Sequence, residues 1–111
     1  MVAGCRTSGV LPASALVNSG KCKLVSIHAY NSHGGNASTI TVYDNTAASG
    51  TAVAKLYLPA QNGSGLDGAG DATQEVIGNN PIEFDMHGVI CENGLYCEIS
   101  GGTVGVTVEF A

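Results

Sequence analysis

Tryptophan is absent from this 111-residue chain, and four tyrosines and two phenylalanines are all the aromatic side chains it has. Charge is also scarce: four Lys and Arg stand against nine Asp and Glu, a formal net charge of -5. A nucleic-acid partner needs a basic face that displaces counterions, so four scattered cations argue against that class. No apolar run approaches the length of a membrane span, and no membrane partner is expected. The N-terminus lacks a basic n-region followed by a continuous apolar core, so synthesis in a cytoplasm is expected. No segment carries the 3.6-residue period of an amphipathic helix of useful length. Signatures of chemistry are missing too. There is no Gly-x-Ser-x-Gly elbow and no Gly-x4-Gly-Lys phosphate loop. No catalytic residue, cofactor or metal is therefore expected.

What the chain does have is glycine, 16 in all, between short runs that alternate in polarity. The clearest stretch is Val89 to Phe110. Val104, Val106, Val108 and Phe110 alternate with Thr103, Gly105, Thr107 and Glu109, the period of two that marks a half-buried strand. Asn93-Gly94 and Gly101-Gly102 punctuate the stretch, and Asn-Gly favours the tight turn of a hairpin. The expectation is a three-stranded antiparallel meander with one apolar face. On a two-residue turn, Cys91 would oppose Tyr96 and Cys97 would oppose Ile90.

Upstream, Cys22 to Asn31 reads as a strand with Val25, Ile27 and Ala29 on one face and Leu24, Ser26, His28 and Tyr30 on the other. Thr39 to Asp44 follows, with Ile40 and Val42 inward and Thr39, Thr41 and Tyr43 outward. Ala52 to Leu58 places Ala54, Leu56 and Leu58 together, and Pro59 stops it because proline cannot donate to a ladder. Gln61 to Ala72 reads as a long Gly-rich loop. Gln74 to Ile77 reads as a short strand, and Asn79-Asn80-Pro81 turns the chain. Ile82 to Met86 alternates again, with Ile82, Phe84 and Met86 inward. Seven or eight such strands cannot bury their apolar faces as one sheet. The expected fold is all-β: a single-domain antiparallel β-sandwich or jelly roll over residues 22–111. Residues 1–21 are small, polar and irregular. They read as an N-terminal arm that gains order from a neighbour or by lying along the domain, with Val10, Leu11, Leu16 and Val17 as its apolar contacts.

The four cysteines are Cys5, Cys22, Cys91 and Cys97. Plain thiols, a disulfide of Cys22 with Cys5 or Cys97, and a metal or redox role all stay open, because four thiols allow three pairings and spacing cannot choose among them. Paired Cys-x2-Cys ligands are missing. His28, His33 and His87 show no metal-ligand spacing and read as packed or surface residues. Asp67, Asp71, Glu75, Glu83 and Asp85 fall near the long loop but match no calcium-loop pattern.

The succession Leu24-Val25-Ser26-Ile27-His28-Ala29-Tyr30-Asn31, Thr41-Val42-Tyr43-Asp44-Asn45, Gly88-Val89-Ile90-Cys91-Glu92-Asn93-Gly94-Leu95-Tyr96 and Gly101-Gly102-Thr103-Val104 to Phe110 resembles small virion structural proteins of tailed bacteriophages, marine phages especially. The resemblance covers Cys22 to Ala111. It implies a compact sandwich or jelly roll at the capsid surface of a virion, and a non-enzymatic cement protein that decorates the capsid as a homotrimer bridging major capsid subunits. The alternative it implies is a fibre or tail-tip module that binds a host receptor or glycan, through Gln61 to Ala72 and Ser32 to Asn36. A third reading, a small jelly-roll enzyme, would need His and acids clustered in a barrel. Tyrosine is enriched at interfaces, so Tyr30, Tyr43, Tyr57 and Tyr96 are the expected aromatic anchors.

Overall fold

The computed structural model describes residues 4–60 and 82–111. The expected loop Gln61 to Ala72, the short strand Gln74 to Ile77 and the turn at Asn79-Asn80-Pro81 lie outside the described residues. Eight strands account for the described fold: β1 (Arg6–Leu11), β2 (Ala15–Ser19), β3 (Cys22–Asn31), β4 (Ser38–Tyr43), β5 (Ala52–Leu58), β6 (Ile82–Cys91), β7 (Gly94–Ser100) and β8 (Val104–Phe110). They form two antiparallel sheets, ordered β1-β8-β3-β6 and β2-β7-β4-β5. The pairs β1·β8, β2·β7, β3·β6 and β4·β5 would nest as one long hairpin. Bonds β8·β3 and β7·β4 roll that hairpin into two sheets, which is the strand order of a jelly roll.

Each sheet turns its period-two apolar side inward. The first contributes Leu24, Ile27, Ala29, Val104, Val106, Val108 and Phe110, and the second Ile40, Val42, Leu56, Leu58 and Leu95, all in one buried cluster. At about 25 cal/mol per Å² of apolar surface removed from water, this shared layer is the main favourable contribution to folding.

The expected meander does not form. β6 and β8 flank β3 in the first sheet, while β7 lies between β2 and β4 in the second. The turns at 92–93 and 101–103 therefore cross from one sheet to the other. Asp44 secures the first crossing: its carboxylate accepts from the N–H groups of Glu92 at 3.1 Å and Asn93 at 2.7 Å. Gly94 follows at close quarters, since a Cβ there would stand 2.8 Å from the Asn45 carbonyl oxygen. Asn31 secures the other crossing. It is fully buried, and its amide donates to the carbonyls of Asn36 (2.9 Å) and Pro59 (3.1 Å) while its Oδ1 accepts from the N–H groups of His33 and Thr103. A buried amide this well satisfied holds three loops in one register.

The N-terminal segment is part of the sandwich. β1 pairs with β8 and β2 with β7 as edge strands, so this segment lies along its own domain. Gly9, at φ +73°, interrupts β1, and the Ser8 hydroxyl accepts from the Val108 N–H at 2.9 Å, supplying a ladder bond the backbone cannot. Such bulges blunt an edge against pairing with other chains.

A second irregularity corrects the expected facing of β3. Between Leu24 and Ser26 the register advances two residues on β3, one on β8 (Phe110 to Glu109) and four on β6 (Val89 to Asp85). Val25 is the extra residue against β8. On β6 the excess is taken up where His87 (φ +56°) and Gly88 (φ +79°) adopt left-handed conformations. The bulge breaks the alternation, so Leu24 points into the core although Ser26 points out. Phe84 does pair with inward-facing Ile27, but its position on edge strand β6 leaves it 43% exposed.

Candidate functional site

The outer face of the second sheet is built row by row from its register. Leu16, Tyr96 and Tyr43 lie directly across from one another on β2, β7 and β4. The next row is Glu98, Thr41 and Lys55, and the third is Ser100, Thr39 and Tyr57. Cross-strand neighbours share a face at Cβ separations of about 5 Å, so three tyrosines and a leucine stand on one surface about 13 Å long from first to third row. Tyr57 is 66% and Leu16 47% exposed. The Tyr43 hydroxyl donates to Glu98 at 3.1 Å. That bond, and the negative charge behind it, raise the phenol above its ordinary pKa and keep it protonated. The arrangement suits adhesion. Tyrosine offers a large amphipathic contact with few rotamers to freeze, and Thr39 and exposed Lys55 add polar groups beside the rings.

The first sheet's outer face differs. Ser26 donates to Glu109 at 2.6 Å, and its hydroxyl lies 3.3 Å from His28 Nε2. His28 stands between two carboxylates, with Nε2 3.7 Å from Glu109 and Nδ1 3.9 Å from Glu83. The Ser26 bond, with His28 adding attraction, lowers the Glu109 pKa. Farther along β6, Asp85 accepts from the His87 N–H at 2.9 Å. Tyr30 lies over Gly105 so closely that a Cβ there would be 2.6 Å from the ring. His28, Tyr30, Glu83 and Thr107 border a shallow groove with Gly105 in its wall.

The residues expected at an interface divide accordingly. Tyr43, Tyr57, Tyr96 and Leu16 converge on the second sheet; Tyr30 and Val10 stand on the first, where Val10 opposes Thr107. Leu11 and Val17 are taken up by the chain's own core. Of the cysteines, Cys5 is exposed, the other three are buried, and all four are free thiols. Cys91 does not oppose Tyr96, nor Cys97 Ile90, because β6 and β7 lie in different sheets; Cys22 pairs across the ladder with Cys91. His33 shapes a turn, its Nδ1 accepting from Gly35 and Asn36 at 2.9 and 3.0 Å. Among the described residues no group of three or more His, Cys, Asp or Glu is placed to hold a metal ion; Asp67, Asp71 and Glu75 lie outside them.

Three residues with structural weight went unmarked in the sequence. Asp44 acts through partners 48 and 49 positions away, Asn31 joins nearby His33 and Asn36 to Pro59 and Thr103, 28 and 72 positions away, and Glu109 meets Ser26 across 83. The one local sign was Ser26 and His28 two apart on a strand. Compared with known proteins, the chain matches no family model, no curated protein and no solved structure.

Proposed function

We propose that this chain is a non-enzymatic virion structural protein that decorates and stabilises a phage capsid, assembling as a homotrimer that bridges major capsid subunits. The observation that carries the reading is the outer face of the second sheet, where Leu16, Tyr43, Tyr57 and Tyr96 share one surface. The sequence resemblance over Cys22 to Ala111 supplies the virion context. The mechanism is mechanical: aromatic anchors seated on neighbouring subunits add buried area that resists pressure from packaged DNA. A few such anchors carry most of an interface's energy.

The N-terminal segment enters this mechanism through its side chains. β1 and β2 are paired within their own sheets, so its contribution to a partner is the exposed Val10 and Leu16. Removing residues 1–21 would strip both sheets of an edge strand. The informative variants are therefore single substitutions on a folded domain.

The groove beside Tyr30 favours a second reading, a receptor- or glycan-binding module on a fibre or tail tip. One face of the ring is backed by Gly105, and His28, Glu83 and Thr107 offer polar partners around it. Quantifying the protein in purified virions separates the two. Hundreds of copies per particle support decoration; a few or some tens support the fibre or tail. Detection in no virion overturns both.

A further inference from the structure

Cys22 and Cys91 sit directly opposite one another where β3 begins and β6 ends. Lys23 exchanges both of its backbone hydrogen bonds with Ala111, at 2.8 and 2.9 Å. The N–H and C=O of the preceding residue, Cys22, therefore face β6 and Cys91. That makes the cysteines a hydrogen-bonded pair, with Cα atoms about 5.5 Å apart, inside the span of about 4.4 to 6.8 Å that a disulfide bridges. Side chains directly opposite each other lie on the same face of a sheet, and here that face is the core.

The two thiols differ in access. Cys91 is fully buried, while Cys22 is 5% exposed and lines an open apolar cleft with Lys21, Lys23, Ile90 and Ala111. The two lysines place positive charge around the mouth; burial raises the Cys22 pKa, and Asn18 and Arg6 offset part of that rise. We propose that Cys22 and Cys91 form a redox-active dithiol, closed to a disulfide by small anionic disulfides that enter this cleft. Cys22, as thiolate, attacks one sulfur of the incoming disulfide, forming a mixed disulfide and expelling one thiolate, which takes up the proton Cys22 released. Cys91 then attacks the Cys22 sulfur and expels the second thiolate, which takes up the Cys91 proton. Two protein thiols lose two electrons in total, and one small disulfide is reduced to two thiols.

Burial, with Cys22 and Asp44 adding repulsion, pushes the Cys91 thiol up to about 11, and burial raises Cys22 too. Once Cys22 is capped its repulsion is gone, while burial and Asp44 still hold Cys91 as the thiol, so ring closure is slow at neutral pH and quickens as pH rises. The bond would tie the start of β3 to the end of β6 and constrain the unfolded chain across a long loop. Neither the closure nor its test depends on the proposed function.

The experiment treats the native protein with glutathione disulfide, then maps peptides under non-reducing conditions. Expected are a Cys22–Cys91 link, loss of two hydrogens from the linked pair of peptides, and a higher denaturation midpoint than the reduced protein shows, with any glutathione adduct confined to exposed Cys5. A C5S/C97S variant should form the same bond at the same rate. Cys91→Ser should stop at a glutathione adduct on Cys22, and Cys22→Ser should leave Cys91 unmodified. A bond from Cys22 to Cys97 or Cys5, or four intact thiols after prolonged treatment at pH 9, would overturn the proposal. If the Cys91 variant does not fold, the C5S/C97S protein alone decides the matter.

Discussion

On the outer face of the first sheet, the carboxylates Glu83 and Glu109 stand around the single imidazole of His28. On the outer face of the second, three tyrosines and a leucine stand around Lys55 and one carboxylate, Glu98, which Tyr43 already engages. The same core lies under both. What differs is the cost of covering them. Seating a partner on the first face strips water from several charged groups, which is unfavourable unless each finds a counter-charge. Seating one on the second face removes mostly ring and aliphatic surface, which is favourable by itself. One fold thus carries a face that is costly to bury and a face that is less costly to bury.

The largest effect tests whether the two faces are sides of one packed body. Ile27→Ala behind the first face and Ile40→Ala behind the second should each cost about 2–5 kcal/mol in equilibrium denaturation, because both side chains are fully buried in the shared cluster. Two separate transitions, one per variant, would break the comparison at its base.

Next come the close approaches. Gly94→Ala sets a methyl group against the Asn45 backbone, 2.8 Å from its carbonyl oxygen, and should cost about 1–3 kcal/mol. Gly105→Ala meets the ring of Tyr30, which is 39% exposed and free to swing outward. It should cost less than Gly94→Ala and should raise the accessibility of Tyr30 to iodination. An equal or larger loss at Gly105 would mean that the Tyr30 ring is held as firmly as backbone.

A smaller effect separates the faces by binding. Tyr57→Ala and Tyr96→Ala should each weaken co-sedimentation with undecorated capsid shells by about tenfold, the consequence of losing about 1–2 kcal/mol at an anchor. Glu83→Gln on the opposite face should leave binding unchanged.

The smallest effect separates them by pH. Glu109 has a lowered pKa in the fold, so its contribution to stability is full above its ordinary value of 4.5 and is lost as pH falls through the folded value. Asp44, held low by the Asn93 and Glu92 N–H groups, acts in the same direction below 3.8. Tyr43 has the opposite sign: raised in the fold, it contributes fully below pH 10 and its contribution is lost as pH rises through the folded value. Glu109→Gln should flatten the acid limb of the stability profile, and Tyr43→Phe the alkaline limb. Exchange of those roles would contradict the assigned bonds.

Much of this was legible in the chain. Period-two alternation located six of the eight strands, and it placed Ile40, Val42, Leu56, Val106 and Val108 inward, where they lie. Alternation reports which way a side chain points but carries nothing about which strand lies alongside. Asn93-Gly94 was for that reason read as a hairpin turn when it is a corner between sheets. The dipeptide reverses the chain equally well in either role, and the deciding contact is Asp44, 48 residues upstream of Glu92. β1 was read as irregular because its bulge at Ser8 and Gly9 interrupts the period. Leu24 was grouped with Ser26, His28 and Tyr30 because the bulge at Val25 belongs to the pairing with β8 and leaves no mark on β3 itself. The four tyrosines were legible as anchors singly. Their division, three on one face and one on the other, is a property of register. Cys22 opposite Cys91 is likewise a product of register, invisible before β6 is known to pair with β3.

The assignment of roles to the two faces is tested most directly by hydroxyl-radical footprinting of the protein free and bound to capsid shells. Protection concentrated on Leu16, Tyr43, Tyr57 and Tyr96, with His28 and Tyr30 as reactive as in the free protein, is the predicted result. Protection of His28 and Tyr30 with the other three tyrosines left reactive would contradict it.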